Sequence, residues 1–249
     1  MPSFASYPSL KDRSVFISGG GSGIGASIVE HFAAQGSKVG FVDIDEPASK
    51  AIAGKTGALF IKCDIRDVKA YQAAIGEVAG KHGPITALVN NAARDDRHEL
   101  EDVTPEFFDE RIAVNLRHAF FAIQAVAPGM KKAGGGSIVN FSSISYHTMT
   151  ANLSVYQAAK AATIGMTRGL ARDLGADKIR LNSITPGWIM TQRQIDLWLT
   201  PEAEADLMKA QVLKEKVYPP DIARMALFLA ADDSQLISGQ NFVVDGGRM

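Results

Sequence analysis

Short runs of apolar residues alternate along the chain with stretches in which apolar positions recur at helical spacing. Residues 15–17 form the first such run, and a helical pattern follows over residues 24–35. Residues 85–89 are nearly all apolar, which is typical of a strand buried on both faces of a sheet. The predicted strands are residues 15–17, 39–42, 58–61, 85–89, 137–141, 179–184 and 242–244.

This alternation predicts one α/β domain over residues 1–249. Strands that alternate with helices form a parallel sheet with right-handed crossovers, and the helices cover both of its faces. We therefore expect a doubly wound fold of the Rossmann type with a central sheet of about seven strands. Such sheets bind ligands at the carboxyl ends of their strands, near the point where the strand order reverses.

Three longer segments lie between the later strands. Thr104-Pro105-Glu106 supplies a cap, a proline and an early acid, and it predicts a long helix that runs to residue 131. Residues 154–174 predict a second long helix. Residues 188–217 break the alternation, with tryptophan and methionine among polar residues. They form either a lid over a substrate pocket or a surface helical hairpin.

Composition limits the partners that the chain can have. It has 249 residues, 46% of them hydrophobic, and a formal net charge of −1. Because there is no basic stripe, nucleic acid is not an expected partner. No apolar stretch reaches the roughly 20 residues that span a bilayer, and residues 1–9 lack the pattern of a secretory signal. We therefore expect a cytoplasmic protein, and no His, Cys and acid cluster indicates a metal site.

A glycine-rich turn, Ser18-Gly19-Gly20-Gly21-Ser22-Gly23-Ile24-Gly25, follows the first strand and opens the first helix. Glycines let the backbone approach a pyrophosphate, and a helix N-terminus offers free N–H groups and partial positive charge. Asp43 ends the second strand, where a carboxylate accepts hydrogen bonds from a ribose 2′-hydroxyl and repels a 2′-phosphate. This pattern favours NAD over NADP. Alternatively, Asp43 caps the strand and Asp45 or Glu46 takes this role.

Tyr156 and Lys160 stand four residues apart within a helical pattern, so their side chains share one helix face. An ammonium beside a phenol favours the phenolate. The ordinary phenol pKa is about 10, so reaching neutrality needs about 4 kcal/mol of differential interaction. Lys160 together with a nicotinamide cation could supply it.

The chain resembles the short-chain dehydrogenase/reductase family over essentially its whole length. The matching residues, in order and at family spacing, are 19–25, Asn90-Asn91-Ala92-Ala93, Asn115, Ser143, Tyr156, Lys160 and Pro186-Gly187. The resemblance implies that Tyr156 is the general acid/base and that Lys160 lowers its pKa and binds the nicotinamide ribose. It implies that Ser143 hydrogen-bonds the reacting oxygen and that Asn115 holds a water that links Lys160 to solvent.

The same resemblance implies a set of cofactor contacts around the glycine turn and the strand ends. These are Gly19, Ser22, Gly23, Ile24, Gly25, Asp43, Asp64, Ile65, Asn91, Ala92, Tyr156, Lys160, Pro186, Gly187, Ile189 and Thr191. Family members are commonly homotetramers that pair their long helices, and we expect the same here.

A narrower resemblance concerns the substrate. Tyr7-Pro8-Ser9-Leu10, Asp95-Asp96-Arg97-His98 and residues 109–118 and 125–132 look like those of bacterial aldose 1-dehydrogenases, which act on D-xylose, L-arabinose, L-fucose or D-galactose. The resemblance implies oxidation of the anomeric carbon of a pentose, hexose or 6-deoxyhexose to the aldonolactone.

Polar side chains follow several strands where a sugar pocket is expected, and a sugar ring could stack on Trp188 or Tyr146. The predicted substrate residues are Asp95, Arg97, His98, Ser143, Ser145, Tyr146, His147, Tyr156, Trp188, Gln192 and Arg193. Alternatively, the charged ones form a salt-bridged loop and His147 is a capped side chain.

Two other functions compete with sugar oxidation. One is reduction of a ketone, such as a 3-oxoacyl thioester or a keto sugar acid, by the same four residues. Asp43 argues against it, since biosynthetic reductases often prefer NADPH. The other is a non-catalytic NAD-binding regulator, against which the complete set of Asn115, Ser143, Tyr156 and Lys160 argues.

Overall fold

The central sheet contains seven parallel strands in the order β3-β2-β1-β4-β5-β6-β7, which confirms the predicted doubly wound fold. The computed structural model describes residues 4–249, so the first three residues of the segment 1–9 lie outside the described residues. The strands are β1 (Ser14–Ser18), β2 (Lys38–Asp43), β3 (Leu59–Lys62), β4 (Ala87–Asn90), β5 (Gly136–Phe141), β6 (Ile179–Pro186) and β7 (Asn241–Val244).

Helices follow most strands and cover both faces of the sheet. They are α1 (Gly23–Ala34), α2 (Glu46–Thr56), α3 (Val68–His82), α4 (Pro105–Ile112), α5 (His118–Lys132), α6 (Ser154–Leu174), α7 (Gln192–Trp198), α8 (Pro201–Ala210) and α9 (Pro219–Ala230). None of the helices within residues 4–249 is both long and apolar enough to cross a membrane.

The long helix predicted from residue 104 is not uniform. Thr104 caps it through a hydrogen bond from the backbone N–H of Phe107 (3.2 Å). Between α4 and α5, however, the residues Ala113–Arg117 form a π-helical turn. Such turns insert an extra residue and often accompany functional sites, and this one contains Asn115.

Two apolar clusters hold the helices against the sheet. Phe16 and Ile17 are consecutive in β1 and fully buried, but they belong to different clusters because side chains alternate across a strand. Ile17 packs in the cluster that includes Phe32 of α1, and Phe16 packs in the one that includes Tyr71 of α3. Both faces are therefore covered, as the continuous apolar strands predict.

The strand order reverses between β1 and β4, which lie side by side with Ser18 opposite Asn90. Loops that leave the two strands must go in opposite directions along the sheet edge, and a crevice opens between them. The glycine-rich turn after β1 and the Asn90-Asn91-Ala92-Ala93 segment after β4 therefore meet at this crevice.

Candidate active site

A cavity of about 750 Å³ opens at the carboxyl edge of the sheet. The glycine turn, the ends of β2 to β6 and the segment after β6 contribute to its wall. The volume lies within the range of ligand pockets. All sixteen residues predicted to contact the cofactor line this one cavity.

The glycine turn is packed too closely for side chains. Gly19 has φ of 71°, in the left-handed region, and a Cβ there would lie 2.9 Å from the Cα of Ala92. A Cβ on Gly25 would overlap the carbonyl oxygen of Gly19. The turn and helix therefore approach each other as the close packing of a dinucleotide site requires.

The N-terminus of α1 faces this cavity with unused backbone donors. Ser22 is the N-cap residue of this helix, and its side chain makes no capping hydrogen bond within residues 4–249. Ser22, Gly23 and Ile24 line the cavity. Free N–H groups and the helix dipole at this point suit the pyrophosphate of a dinucleotide.

Of the three acids considered for the ribose, Asp43 lines the cavity. Its Oδ2 accepts a hydrogen bond from the N–H of Gly21 (2.9 Å), and its Oδ1 accepts one from the N–H of Asp45 (3.0 Å). Asp43 thus both ends its strand and presents a carboxylate beside the glycine turn. The other two acids are occupied elsewhere, because Asp45 caps α2 and Glu46 pairs with Lys62 (3.0 Å).

Tyr156 and Lys160 lie one turn apart on α6, and Ser143 follows β5 at the same end of the cavity. Lys160 is 2% exposed, and its Nζ donates a hydrogen bond to the carbonyl oxygen of Phe141 (2.9 Å). The same Nζ lies 5.5 Å from the centroid of the Tyr156 ring. The structure therefore brings together the phenol, the ammonium and the serine hydroxyl.

Burial and several neighbouring groups act on the pKa of Tyr156. Burial raises it and the Asp95 carboxylate raises it further, whereas Ser143 and the guanidinium groups of Arg193 and Arg97 lower it. The lowering of this pKa by Lys160 stays a prediction. Burial also lowers the pKa of Lys160, to about 8, so the ammonium has itself lost part of its preference for the charged form.

Asn115 lies outside the cavity wall and is 2% exposed. Its Oδ1 accepts a hydrogen bond from the N–H of Arg94 (2.9 Å), and its Nδ2 donates to the carbonyl oxygens of Arg94 (3.1 Å) and Arg111 (3.0 Å). The amide thus ties the loop after β4 to the π-helical turn. A water held by Asn115 stays a prediction.

Eight of the eleven predicted substrate residues line the cavity. They are Asp95, Arg97, Ser143, Ser145, Tyr156, Trp188, Gln192 and Arg193. Asp95 pairs with Arg193, so the salt-bridged loop considered above is present at the cavity wall.

The structure does not bring His98, Tyr146 and His147 to the wall. The ring of His98 is held between the carbonyl oxygen of Asp96 (3.2 Å) and the hydroxyl of Ser154 (3.1 Å). The rings of Tyr146 and His147 lie against each other, 4.1 Å between centroids. These neighbours hold the three rings in places other than the cavity wall.

Gln194 of α7 belongs to the site but was not predicted. Its Nε2 donates to Oδ2 of Asp95 (3.0 Å), and its Oε1 accepts from Nε1 of Trp188 (2.9 Å). Trp198 also lines the cavity and lies under the guanidinium of Arg97, 4.9 Å from its carbon to the ring centroid. Trp198 lies in the segment 188–217 that the sequence offers as a lid, whereas the local pattern gives no signal for the bond from Gln194 to Asp95, 99 positions away along the chain.

Comparison with known proteins agrees with this geometry. Residues 19–248 match a family model described as Enoyl-(Acyl carrier protein) reductase. The chain is 49% identical to a probable galactose dehydrogenase of Rhizobium meliloti, over 97% of this chain and 96% of the relative. It is 47% identical to the D-xylose 1-dehydrogenase of Caulobacter vibrioides, over 98% and 99%. A short-chain type dehydrogenase/reductase from Mycobacterium ulcerans has a similar structure, with a TM-score of 0.91, 27% identity and coverage of 98% of this chain and 91% of the other.

Proposed function

The chain belongs to the short-chain dehydrogenase/reductase family, and from this premise we propose that it oxidises the anomeric carbon of an aldose, with NAD as the hydride acceptor. The product is an aldonolactone. The observation that carries the proposal is the position of Tyr156, which shares one cavity with the cofactor cradle and with the polar residues Asp95, Gln192 and Arg193. The names of the two relatives, a galactose and a xylose dehydrogenase, support an aldose.

In this mechanism, Tyr156 removes the proton of the anomeric hydroxyl while hydride leaves the same carbon. The hydroxyl of Ser143 hydrogen-bonds the reacting oxygen and holds it beside the phenol. Lys160 supplies a nearby ammonium, held in place by the carbonyl of Phe141. An oxidised nicotinamide, when bound, would supply the hydride acceptor and a positive charge that favours the phenolate. Because burial and Asp95 raise the pKa of Tyr156, such a charge would assist proton removal by the phenol.

The preference for NAD rests on the charges around Asp43. A 2′-phosphate carries two further negative charges and would meet the Asp43 carboxylate beside the glycine turn. Lys50 and Lys62 both pair with Glu46 (2.7 and 3.0 Å), which partly neutralises their charge toward such a phosphate. A ribose hydroxyl, in contrast, can donate to the carboxylate.

The substrate end of the cavity suits a polyol. Each sugar hydroxyl that is buried without a partner costs about 1–3 kcal/mol, so a sugar site needs several polar groups. Asp95 can accept hydrogen bonds, Gln192 and Arg193 can donate them, and Trp188 offers an apolar ring. Residues 188–217, which contain α7 and α8, act in this proposal as the lid over the sugar.

The assembly we propose is a homotetramer in which α4, α5 and α6 pair with those of neighbouring copies. Phe108 and Phe120 are 44% and 42% exposed on α4 and α5, and pairing of these helices between copies would bury apolar surface there. Light scattering after size-exclusion chromatography tests this, and a monomer at micromolar concentration contradicts it.

A substrate panel tests the proposed activity. The protein is mixed with NAD and a set of pentoses, hexoses and 6-deoxyhexoses, and the absorbance of the reduced cofactor is followed. Turnover with aldoses and lactone as the first product support the proposal. Turnover of ketones with NADPH alone, or cofactor binding without turnover of any sugar, contradicts it.

A further inference from the structure

Arg111 is a buried charge at the end of α4. It is 4% exposed, and its Nε donates to Oε2 of Glu110 (2.8 Å). Its other nitrogens donate to the same Glu110 oxygen and to Oδ2 of Asp96, and the guanidinium carbon lies 5.4 Å from the ring centroid of Phe107. A guanidinium removed from water is stable only with such partners, so its place in the fold is closely defined.

Asp96, the second partner, belongs to the loop of residues 94–98 that follows β4. Asp96 also pairs with Arg94 (3.2 Å), whose backbone is held by Asn115. The loop is thus fastened at two neighbouring points to the helix that contains α4 and the π turn.

The residues on either side of Asp96 hold α7 over the substrate end of the cavity. Asp95 pairs with Arg193 and accepts a hydrogen bond from Gln194 (3.0 Å). Arg97 lies over the ring of Trp198. Any shift of Asp96 must therefore move the contacts that keep α7 in place.

We propose that Arg111 is a positioning residue for substrate binding: by holding Asp96, it fixes the loop from which Asp95 and Arg97 keep α7 closed over the sugar. The identity of the substrate rests on the proposed function. Tyr156, Ser143 and Lys160 lie on other elements and are not among the hydrogen-bond partners of Arg111. Its loss therefore weakens sugar binding more than it slows the chemical step.

The site can tolerate the loss of this charge without unfolding. Glu110 retains Arg66 as a partner (2.6 Å), and Asp96 retains Arg94. Neither carboxylate is therefore left without a cation in the variant Arg111→Met. The methionine also keeps most of the side-chain volume. Because each carboxylate keeps a second cation, we expect the variant to fold, so that the effect on α7 can be measured.

The two tryptophans of the sequence report on α7 directly, since Trp188 precedes the helix and Trp198 ends it. We expect acrylamide to quench the fluorescence of Arg111→Met more strongly than that of the native chain. The matched control is Arg224→Met. Arg224 pairs with Asp221 and lies over the ring of Phe4 (4.1 Å), a similar set of contacts away from the cavity wall.

Kinetics supply the second readout. Arg111→Met raises the KM for the aldose by about tenfold, because α7 is held less firmly over the sugar, while kcat stays within about twofold. Arg111→Lys keeps a cation and recovers part of the loss. If Arg111 only stabilised the fold, its replacement would lower the thermal midpoint and the fraction of active protein. The KM of Arg111→Met and that of Arg111→Lys would then both equal the native value.

If Arg111→Met does not fold, KM and quenching are measured on Asp96→Asn instead. This variant weakens the same contact from the side of the loop. Unchanged KM and unchanged quenching in a folded variant overturn the proposal. If the native chain oxidises no aldose, the proposed function fails, but the quenching comparison still decides whether Arg111 positions α7.

Discussion

Lys160 Nζ lies 2.9 Å from the carbonyl oxygen of Phe141, the last residue of β5. A strand of the sheet thus fixes the ammonium that stands beside Tyr156. The contact satisfies one of the three donors of the ammonium, and it holds the side chain where burial lowers its pKa to about 8. Sheet and helix together place the charge, rather than the helix spacing alone.

Removing the hydroxyl of Tyr156 tests the proton transfer. We expect Tyr156→Phe to lower kcat by at least about a hundredfold, because general acid/base groups contribute 10²–10⁴-fold. Reduced-cofactor fluorescence checks that the variant still binds the dinucleotide. The control is Tyr7→Phe, a tyrosine outside the cavity wall. A Tyr156→Phe enzyme with native turnover contradicts the mechanism.

Replacing Asp43 tests cofactor selection. Asp43→Ser removes the negative charge beside the glycine turn, so we expect the KM for NADP to fall by about tenfold or more while that for NAD rises. Asp45→Asn is the matched control, because this acid caps α2 away from the cavity. Steady-state kinetics with both cofactors measure the change, and an unaltered ratio between them speaks against a role of Asp43 in selection.

The depressed pKa of Lys160 makes the stability of the fold depend on pH. The folded value is about 8 against an ordinary 10.5, so between these pH values the unfolded chain holds more protons. This lysine therefore favours the folded state increasingly as the pH rises through that window. The free energy of unfolding of the native chain, minus that of Lys160→Met, should grow by about 2 kcal/mol between about pH 7 and about pH 9.5.

Urea denaturation at several pH values measures this difference. Subtracting the variant removes the contributions of all other groups that titrate alike in both proteins. A difference that is constant across the range means that the ammonium is solvated as in water. That result would contradict the claim that a buried ammonium stands beside Tyr156.

His118, at the start of α5, gives a dependence of the same sign at lower pH, since stability again rises with pH. Burial and the charge of Lys160 lower its pKa to about 3 from an ordinary 6.5. Below about pH 6.5 the unfolded chain takes up a proton that the folded chain does not, so the folded state loses stability. Between about pH 7 and about pH 5, His118→Leu should lose about 2 kcal/mol less stability than the native chain. Thermal melts followed by circular dichroism check this, and parallel losses contradict it.

The sequence was sufficient for the fold, and the residues that it predicts for the cofactor end of the candidate site line one cavity. Apolar runs such as residues 85–89 predict buried parallel strands, and the glycine turn identifies the crevice because its chemistry is local. The substrate end is different. Gln194 bonds to Asp95 from 99 positions away along the chain, and Arg111 reaches Asp96 from 15. Neither pairing leaves a mark in the local pattern.

The same limit explains the misplaced side chains. His98 and Tyr146 adjoin residues that do face the cavity, and a linear sequence does not tell which way each side chain of an irregular loop points. The influences on the pKa of Tyr156 are subject to the same limit. Spacing along α6 identifies the neighbouring ammonium, but burial and the Asp95 carboxylate arise from the tertiary structure.

The π-helical turn Ala113–Arg117 also limits which changes in chain length the fold can accept. One residue in an α-helix corresponds to a rotation of about 100°, so deletion of a single residue within the turn would regularise the helix and swing α5 around its axis. Ile123, Val126 and Met130, now in the core, would rotate out of it. The irregular turn is therefore locked in by the packing of the helix that follows. Substitution of a side chain in the turn leaves the register of α5 unchanged, whereas a change in the length of the turn does not.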